Sequence, residues 1–300
     1  MSTGTKAAES FMPHRAALIG LAYRMTGSRA TAEDIAQEVF LRWQGAAQAE
    51  VTGPRAWLMK ATARLALDHL KSAAARREDY IGPWLPEPVL DNLGAPQEAE
   101  HARAQSVSLA FLLTLERLSP AERAVFILHD LFDTPFGEIA ALLHKSEAAC
   151  RQMALRARAH VSDAKSRQTV TDEESARLTQ AFLAASQTGD EAELRTLLAE
   201  DAVVHTDGGG IRPAAFNLIF GGAKAARMFA RLAAKKSVAP PVIYRGLING
   251  SPGFVTMEPD GLPQATVLDL AERRITAVYV IRNPEKLKAI AEALGLSLRR

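Results

Sequence analysis

Residues 136–162 read as a short apolar-periodic segment (FGEIAALL), a tight turn at His144-Lys145-Ser146, and a longer segment starting at Glu147. Helical spacing puts Cys150, Ala154, Ala157 and Val161 on one inward face of the longer segment. Two helices joined by so short a turn share a small core, which is the helix-turn-helix layout. The outward face then carries Glu147, Ala148, Arg151, Gln152 and Leu155, where such a helix reads base edges. Arg pairs bidentately with guanine and Gln with adenine, so Arg151 and Gln152 are the expected base readers. Arg156, Arg158 and Lys165 are directed to phosphates. An ordinary helical hairpin has the same periodicity, so the pattern alone leaves a purely structural reading open.

A second basic segment lies upstream. Residues 54–77 carry six cations (Arg55, Lys60, Arg64, Lys71, Arg76, Arg77) against one acid, Asp68. The whole-chain net charge of +2 hides this local excess, which phosphate neutralisation requires. A solvated basic helix face explains the same charges. Pro54 suits the first turn of a helix running to about Ala75. Before it, a polar stretch (44–53) separates a helix in which Ile35, Val39 and Trp43 recur at helical spacing, with Thr31 and Asp34 as a capping-box-like start. That helix presents Glu33, Asp34 and Glu38 beside Phe40 and Trp43, a face unsuited to DNA and better suited to a protein partner; a solvated face over an aromatic core is the plainer reading.

Residues 78–100 differ in kind. They hold Pro83, Pro86, Pro88 and Pro96 with six acidic residues and no Lys or Arg, as a linker does. Tyr80, Ile81, Trp84, Leu85 and Leu90 are too apolar for a linker that only meets water. Helical periodicity returns over 101–165, with Ser119-Pro120 opening one helix and Pro135 preceding the next. From 173 the character is mixed: helices over 173–188 and 190–199, a strand over Ala202–Thr206, Gly208-Gly209-Gly210, a helix over 223–236, then strands near 242–248, 253–258, 264–270 and 274–281. Asp260-Gly261 and Glu272-Arg273-Arg274 are turn signals, and Asn283-Pro284 opens a final helix.

Composition excludes little. The chain is 48% hydrophobic and 23% charged, with a polar N-terminus unlike a signal peptide and no apolar run of membrane-spanning length. The lone Cys150 rules out an intrachain disulfide and any multi-cysteine metal site, and fits a small core residue in a reduced, cytoplasmic protein. No metal and no cofactor is expected.

Taken in order, AEDIAQEVFLRW (32–43), PRAWLMKATARLALDHLKSAAARRE (54–78) and LSPAERAVFILHDLFDTPFGEIAALLHKSEAACRQMALRARAHV (118–161) resemble the extracytoplasmic-function sigma factors of bacterial RNA polymerase. WLPEP (84–88), DGGG (207–210) and NPEKL (283–287) look like the signature of the sigma-J type, which carries a fused SnoaL-like domain. The resemblance implies a multidomain fold: two all-α sigma domains, the second a helix-turn-helix, plus a C-terminal α+β, cone-shaped SnoaL-like domain. The implied divisions are sigma region 2 at 8–78, a linker at 79–104, sigma region 4 at 105–166, and a regulatory domain at 173–300.

Carried over residue by residue, Asp34, Gln37, Glu38 and Phe40 would dock on the polymerase β′ coiled coil. Lys60, Arg64, Asp68, Lys71, Arg76 and Arg77 would lie where the family melts and reads the −10 element. The helix bearing Glu147, Arg151, Gln152, Arg156 and Arg158 would occupy the major groove of the −35 element. Implied partners are core RNA polymerase, through its β′ and β subunits, and promoter DNA, with no membrane. Trp84, Leu85, Pro86, Glu87 and Pro88 are expected to meet Asp207, Gly208, Gly209, Gly210, Asn283 and Pro284 in a regulatory contact. In this group a Lys often follows DGGG; here Ile211 does, and Arg212 is the candidate replacement.

His205 and Asp207 are expected near the mouth of an apolar pocket in the C-terminal domain, which leaves room for a small ligand. Asp207 there is either a proton-abstracting base, as in isomerases of the fold, or part of a structural turn or contact surface. Three functions stand at this point. They are a non-enzymatic sigma factor regulated in cis, an isomerase or cyclase with a DNA-binding appendage, and a free-standing helix-turn-helix regulator.

Overall fold

The structure, a computed structural model, describes residues 3–46, 51, 53–77, 80–91, 107–162, 170–235 and 238–296; the side chains of 3–6, 73–77 and 162 lie outside the described residues. The chain divides into two compact units. One comprises residues 1–79 and 111–165, the other residues 80–110 and 166–300. No helix among the described residues is long and apolar enough to cross a membrane.

The first unit is helical. Helices α1 (Thr3–Thr26), α2 (Arg29–Gly45) and α3 (Pro54–Arg77) pack on one another around Leu18, Leu21, Met25, Val39, Trp43, Leu58 and Ala63. Trp43 lies 5.2 Å from Trp57 between ring centroids, and its indole donates to the Ser10 hydroxyl at 2.9 Å, so a buried aromatic keeps its polar edge satisfied. The cap of α2 is Ser28, whose hydroxyl accepts from the Thr31 amide at 3.1 Å. Thr31 therefore sits inside the first turn instead of starting the helix. Ser28 lies close enough to Gly27, with its positive φ, to begin the helix one turn earlier.

Helix α4 (Leu109–Glu116), from Phe111 on, with α5 (Pro120–Phe126, continued by a π-turn at Ile127–Leu131), α6 (Phe136–Leu143) and α7 (Glu147–Ser162), completes this unit. Ser119 and Glu122 form a reciprocal capping box at the start of α5. The hydroxyl of Ser119 holds the Glu122 carboxyl below its ordinary pKa. Arg123 is buried; its guanidinium donates to Glu116 and to the carbonyl of Met25, each at 2.7 Å, and so ties α5 to the end of α1. The turn between α6 and α7 is made by His144 at φ 53°.

The second unit holds α8 (Asp172–Thr188), α9 (Glu191–Leu197), α10 (Gly222–Ala234) and a six-stranded sheet of β1 (Leu198–Asp207), β2 (Ile219–Phe220), β3 (Val242–Ile248), β4 (Ser251–Met257), β5 (Pro263–Ala271) and β6 (Arg274–Ile281). The order is β2-β1-β6-β5-β4-β3, with β1 and β6 parallel and the other pairs antiparallel. Leu178, Phe182, Val204, Ala225, Phe254, Leu268, Val278 and Val280 share one core between the helices and the sheet, an α+β organisation. Strand β1 starts at Leu198, four residues before the expected Ala202. Glu200 and Asp201 break its alternation, and the register against β6 slips between Leu198 and Val203 to absorb them. A 3₁₀ turn at Pro284–Leu287 leads into α11 (Lys288–Ala293).

Candidate functional site

Within the second unit, residues 80–91 run along the C-terminal sheet domain, anchored at two places. At the first, the carboxylate of Asp207, at the end of β1, is almost wholly buried and accepts four hydrogen bonds. Its Oδ1 takes the Tyr80 hydroxyl at 2.6 Å and the Gly209 amide at 3.0 Å; its Oδ2 takes the Leu85 amide at 2.8 Å and the Lys286 ammonium at 2.6 Å. Lys286 donates a further bond to the Leu85 carbonyl at 2.6 Å and lies 4.2 Å from the Trp84 ring centroid and 4.8 Å from that of Tyr80. A buried ammonium is tolerable only with such compensation from a carboxylate, a carbonyl and two π-faces. Asn283 caps the 3₁₀ turn through Glu285 and donates to the Tyr80 hydroxyl at 2.9 Å. Burial, then the bond to Asp207, raises the Tyr80 pKa well above its ordinary value, so the phenol stays a donor.

The glycine run has a steric reason at each position. A Cβ on Gly208 would stand 2.0 Å from the Arg212 carbonyl oxygen, one on Gly209 2.3 Å from Asn283 Nδ2, and one on Gly210 3.0 Å from the Ile81 side chain. Gly209 and Gly210 also hold φ of 64° and 72°. Leu85, Pro86 and Pro88 are buried, while Trp84 and Glu87 are half-buried.

The second anchor is the β3–β4 turn. Leu90 bridges Ile248 on the edge strand, Asp91 donates its amide to the Leu247 carbonyl at 3.1 Å, and Asn249 donates its own to the Val89 carbonyl at 2.8 Å. The Asn249 side chain accepts from the Val89 amide at 2.9 Å and donates to the Val107 carbonyl at 3.2 Å. The Asp91 carboxylate accepts from the Gly250 amide. The segment thus extends the sheet by short strand-like pairing.

In the first unit, Cys150, Ala154, Ala157 and Val161 are buried on α7, and Glu147, Ala148, Arg151, Gln152 and Leu155 are exposed. Arg151 pairs with Glu147 at 2.7 Å and lies 5.4 Å from the Phe136 ring; Arg156 pairs with Glu122 and Arg158 with Asp130. On α3, Lys60, Arg64, Asp68 and Lys71 are exposed. The side chains of Arg76 and Arg77, and all of Lys165, lie outside the described residues. On α2, Asp34, Gln37 and Glu38 are exposed with Leu41, and Glu38 pairs with Arg42 at 2.8 Å. Phe40 is half-buried, 4.9 Å from Phe11.

The Sigma-70 region 2 family matches residues 11–76, and the Sigma-70, region 4 family matches residues 108–161. The ECF RNA polymerase sigma factor SigJ of Mycobacterium tuberculosis (strain ATCC 25618 / H37Rv) is 37% identical over 283 residues, spanning 90% of this chain and 89% of its own. The chain belongs to the extracytoplasmic-function RNA polymerase sigma factors. A probable ECF sigma factor of the same strain, SigI, is 32% identical over 298 residues, 98% of this chain and 99% of its own. The crystal structure of SigJ superposes with a TM-score of 0.74 at 34% identity, covering 94% of this sigma factor and 98% of that chain.

Several residues of the anchors escaped sequence reading. Tyr80 was visible only as an aromatic misplaced in an acidic linker, and Lys286 lay unsingled inside NPEKL. Asn249-Gly250 is a two-residue hairpin signal with φ of 54° and 69°. Arg212 is the candidate replacement for the Lys of that group. It is buried and bonds the Pro263 and Arg282 carbonyls and Asp260, while Ile211 is exposed. The expected pocket also needs correction. A cavity of about 440 Å³ lies between α8, α10 and the sheet, but neither His205 nor Asp207 lines it; Thr206 does. Successive strand residues face opposite ways, so Val204 and Thr206 belong to the helix-covered face and His205 and Asp207 to the other. Burial lowers the His205 pKa to about 4, and its ring stands 5.0 Å from that of Tyr279.

Proposed function

We propose that this sigma factor brings core RNA polymerase to promoters through the surfaces of its first unit and that the anchored segment 80–91 sets its activity in cis. In this reading α2 docks on the polymerase β′ subunit through Asp34, Gln37, Glu38 and Phe40, and the β subunit meets region 4. Lys60, Arg64, Lys71, Arg76 and Arg77 engage the −10 element, and Glu147, Arg151, Gln152, Arg156 and Arg158 the −35 element. The exposed, net-basic faces of α3 and α7 support this. Phosphates attract such faces, and both exposed base-reading side chains are of the required types. We assign the functional divisions at 8–78, 79–104, 105–166 and 173–300, with a cytoplasmic, non-enzymatic protein as the whole.

The regulatory part rests on one observation: Asp207 and Lys286 together grip both backbone groups of Leu85. Trp84, Leu85, Pro86, Glu87 and Pro88 on one side, and Asp207, Gly208, Gly209, Gly210, Asn283 and Pro284 on the other, form the contact. That segment is the covalent connection between the two DNA-binding modules. The two promoter elements are separated by roughly 25 base pairs, about 85 Å at 3.4 Å per pair. The modules pack together in one compact unit, with Arg123 bonded to Met25, so both cannot reach their elements until they part. A connection held along residues 80–91 shortens the reach available for parting and biases the equilibrium towards the packed form.

Acid–base catalysis by Asp207 is disfavoured on the same geometry, since all its acceptor positions are engaged and it does not face the cavity. The test is transcription in vitro with purified core polymerase, comparing the full chain with one ending at Gln168 and with Asp207→Asn. Altered promoter-dependent output in both supports the reading; unchanged output in both ends it.

A further inference from the structure

Arg151, the expected guanine reader on α7, is exposed yet held in the free protein. Its guanidinium carbon stands 5.4 Å from the centroid of the Phe136 ring, and its Nη2 pairs with Glu147 Oε2 at 2.7 Å. Glu147 lies four residues earlier on the same helix, so helical spacing alone supplies that pair. Phe136 comes from elsewhere. It opens α6, and the turn through His144, at φ 53°, returns the chain so that α6 packs on α7. Gly137 beside it leaves room for the Glu147 carboxylate, whose Oε1 would lie 3.0 Å from a Cβ at that position.

Phe136 is itself braced. Its ring stacks on the imidazole of His129, 3.9 Å between centroids and 30° between planes. His129 belongs to the π-turn at Ile127–Leu131, and its Nδ1 lies 3.0 Å from the Thr134 carbonyl oxygen. A carbonyl oxygen only accepts, so Nδ1 is the donor and the bond fixes the orientation of the imidazole. Imidazole, phenyl ring and guanidinium thus form a chain of contacts from the π-turn to the recognition helix. The buried side of the hairpin is filled by Ile139, Ala140, Cys150 and Ala154, whereas His129 and Phe136 are only half-buried. A loose arginine samples many rotamers and serves phosphates as readily as bases. Bidentate recognition needs the guanidinium plane aligned with the base edge, and stacking that fixes the plane lowers the ordering cost of the contact. We propose that Phe136, seated on His129, is a positioning residue that holds Arg151 for base recognition and so sets the preference at one position of the upstream element. This rests on the base-reading assignment of Arg151 above.

Holoenzyme assembled from the full chain and core polymerase is tested on a promoter that it binds, on variants with each base pair of the upstream element replaced in turn, and on an unrelated duplex. Arg151→Ala identifies the position that Arg151 reads. Phe136→Leu keeps an apolar side chain but removes the ring. It should lower the preference at that position by about two- to fivefold, the worth of an exposed cation–π contact, while preference elsewhere and affinity for the unrelated duplex do not fall. Phe136→Tyr retains the ring and should keep the preference. In the Arg151→Ala background, Phe136→Leu should add nothing at that position. An even loss at every position marks a packing role only and overturns the proposal, as does unchanged preference in Phe136→Leu or an equal loss in Phe136→Tyr. Preference lost in Arg151→Ala but kept in Phe136→Leu defeats this inference alone. Preference kept in both defeats the base-reading assignment and this inference with it.

Discussion

The Lys286 ammonium stands 2.6 Å from the Asp207 carboxylate with both side chains nearly excluded from solvent, and the backbone of Leu85 is bonded to both. Two charges so placed stabilise each other only while the linker completes their coordination. The ion pair and the seating of residues 80–91 are therefore one structural event.

Lys286→Met leaves Asp207 buried without its counter-ion and should destabilise the second unit by about 3–5 kcal/mol. The double variant Asp207→Asn with Lys286→Met should lose clearly less than the sum of the single losses, because the second change removes a charge already stranded. Chemical denaturation of the four proteins measures this. Strict additivity would show that the two groups act independently.

Gly209→Ala combines a left-handed backbone with a Cβ 2.3 Å from the Asn283 amide nitrogen, whereas Gly261→Ala has only the unfavourable φ, 76°, with nothing within 4 Å. The second change should cost about 1–2 kcal/mol and the first distinctly more. Hydrogen exchange at the Leu85 amide should rise in the Gly209 variant alone. Equal effects on both readouts would contradict the packing argument.

Arg151→Ala should weaken promoter binding by about 1–3 kcal/mol and relax base preference at one position of the upstream element. Lys60→Gln and Arg64→Gln should instead weaken binding across sequences and lower the salt slope by roughly one per removed phosphate contact. Promoter binding by the polymerase holoenzyme at several salt concentrations separates the two behaviours. Loss of salt dependence in the Arg151 variant without loss of preference would reverse the assignment.

His205 is held neutral by burial, with its pKa lowered from 6.5 to about 4. The unfolded chain binds the proton more readily, so the stability contributed by neutral His205 is present above pH 6.5 and is lost as pH falls from 6.5 towards 4. The loss should be on the order of 1–3 kcal/mol. Melting curves of the wild type and His205→Phe between about pH 7.5 and pH 4.5 should diverge on acidification, the variant losing less. Parallel curves would remove His205 from the acid sensitivity.

Much of the molecule was legible before any coordinates. The α7 core residues Cys150, Ala154, Ala157 and Val161 repeat at helical spacing because one face must be apolar, and the Ser119–Glu122 cap and Pro54 start are local chemistry that needs no distant partner. The turn signals at Gly261 and Glu272-Arg273 were readable for the same reason. Where a local signal had a close competitor, as with Ser28 against Thr31, the reading missed by one turn.

Local sequence determined where helices, turns and alternating strands form, because capping, periodicity and glycine's freedom act over a few residues. Which motifs meet was decided by the tertiary fold alone: Tyr80, Leu85, Asp207 and Lys286 are brought together across some two hundred residues by the β1–β6 pairing and the turn after it. The same fold turned Asp207 away from the cavity and Thr206 towards it, since the facing of a strand residue is set by register with its neighbours. A buried charge takes its role from the partners that the surrounding chain supplies, and spacing along a sequence does not encode them.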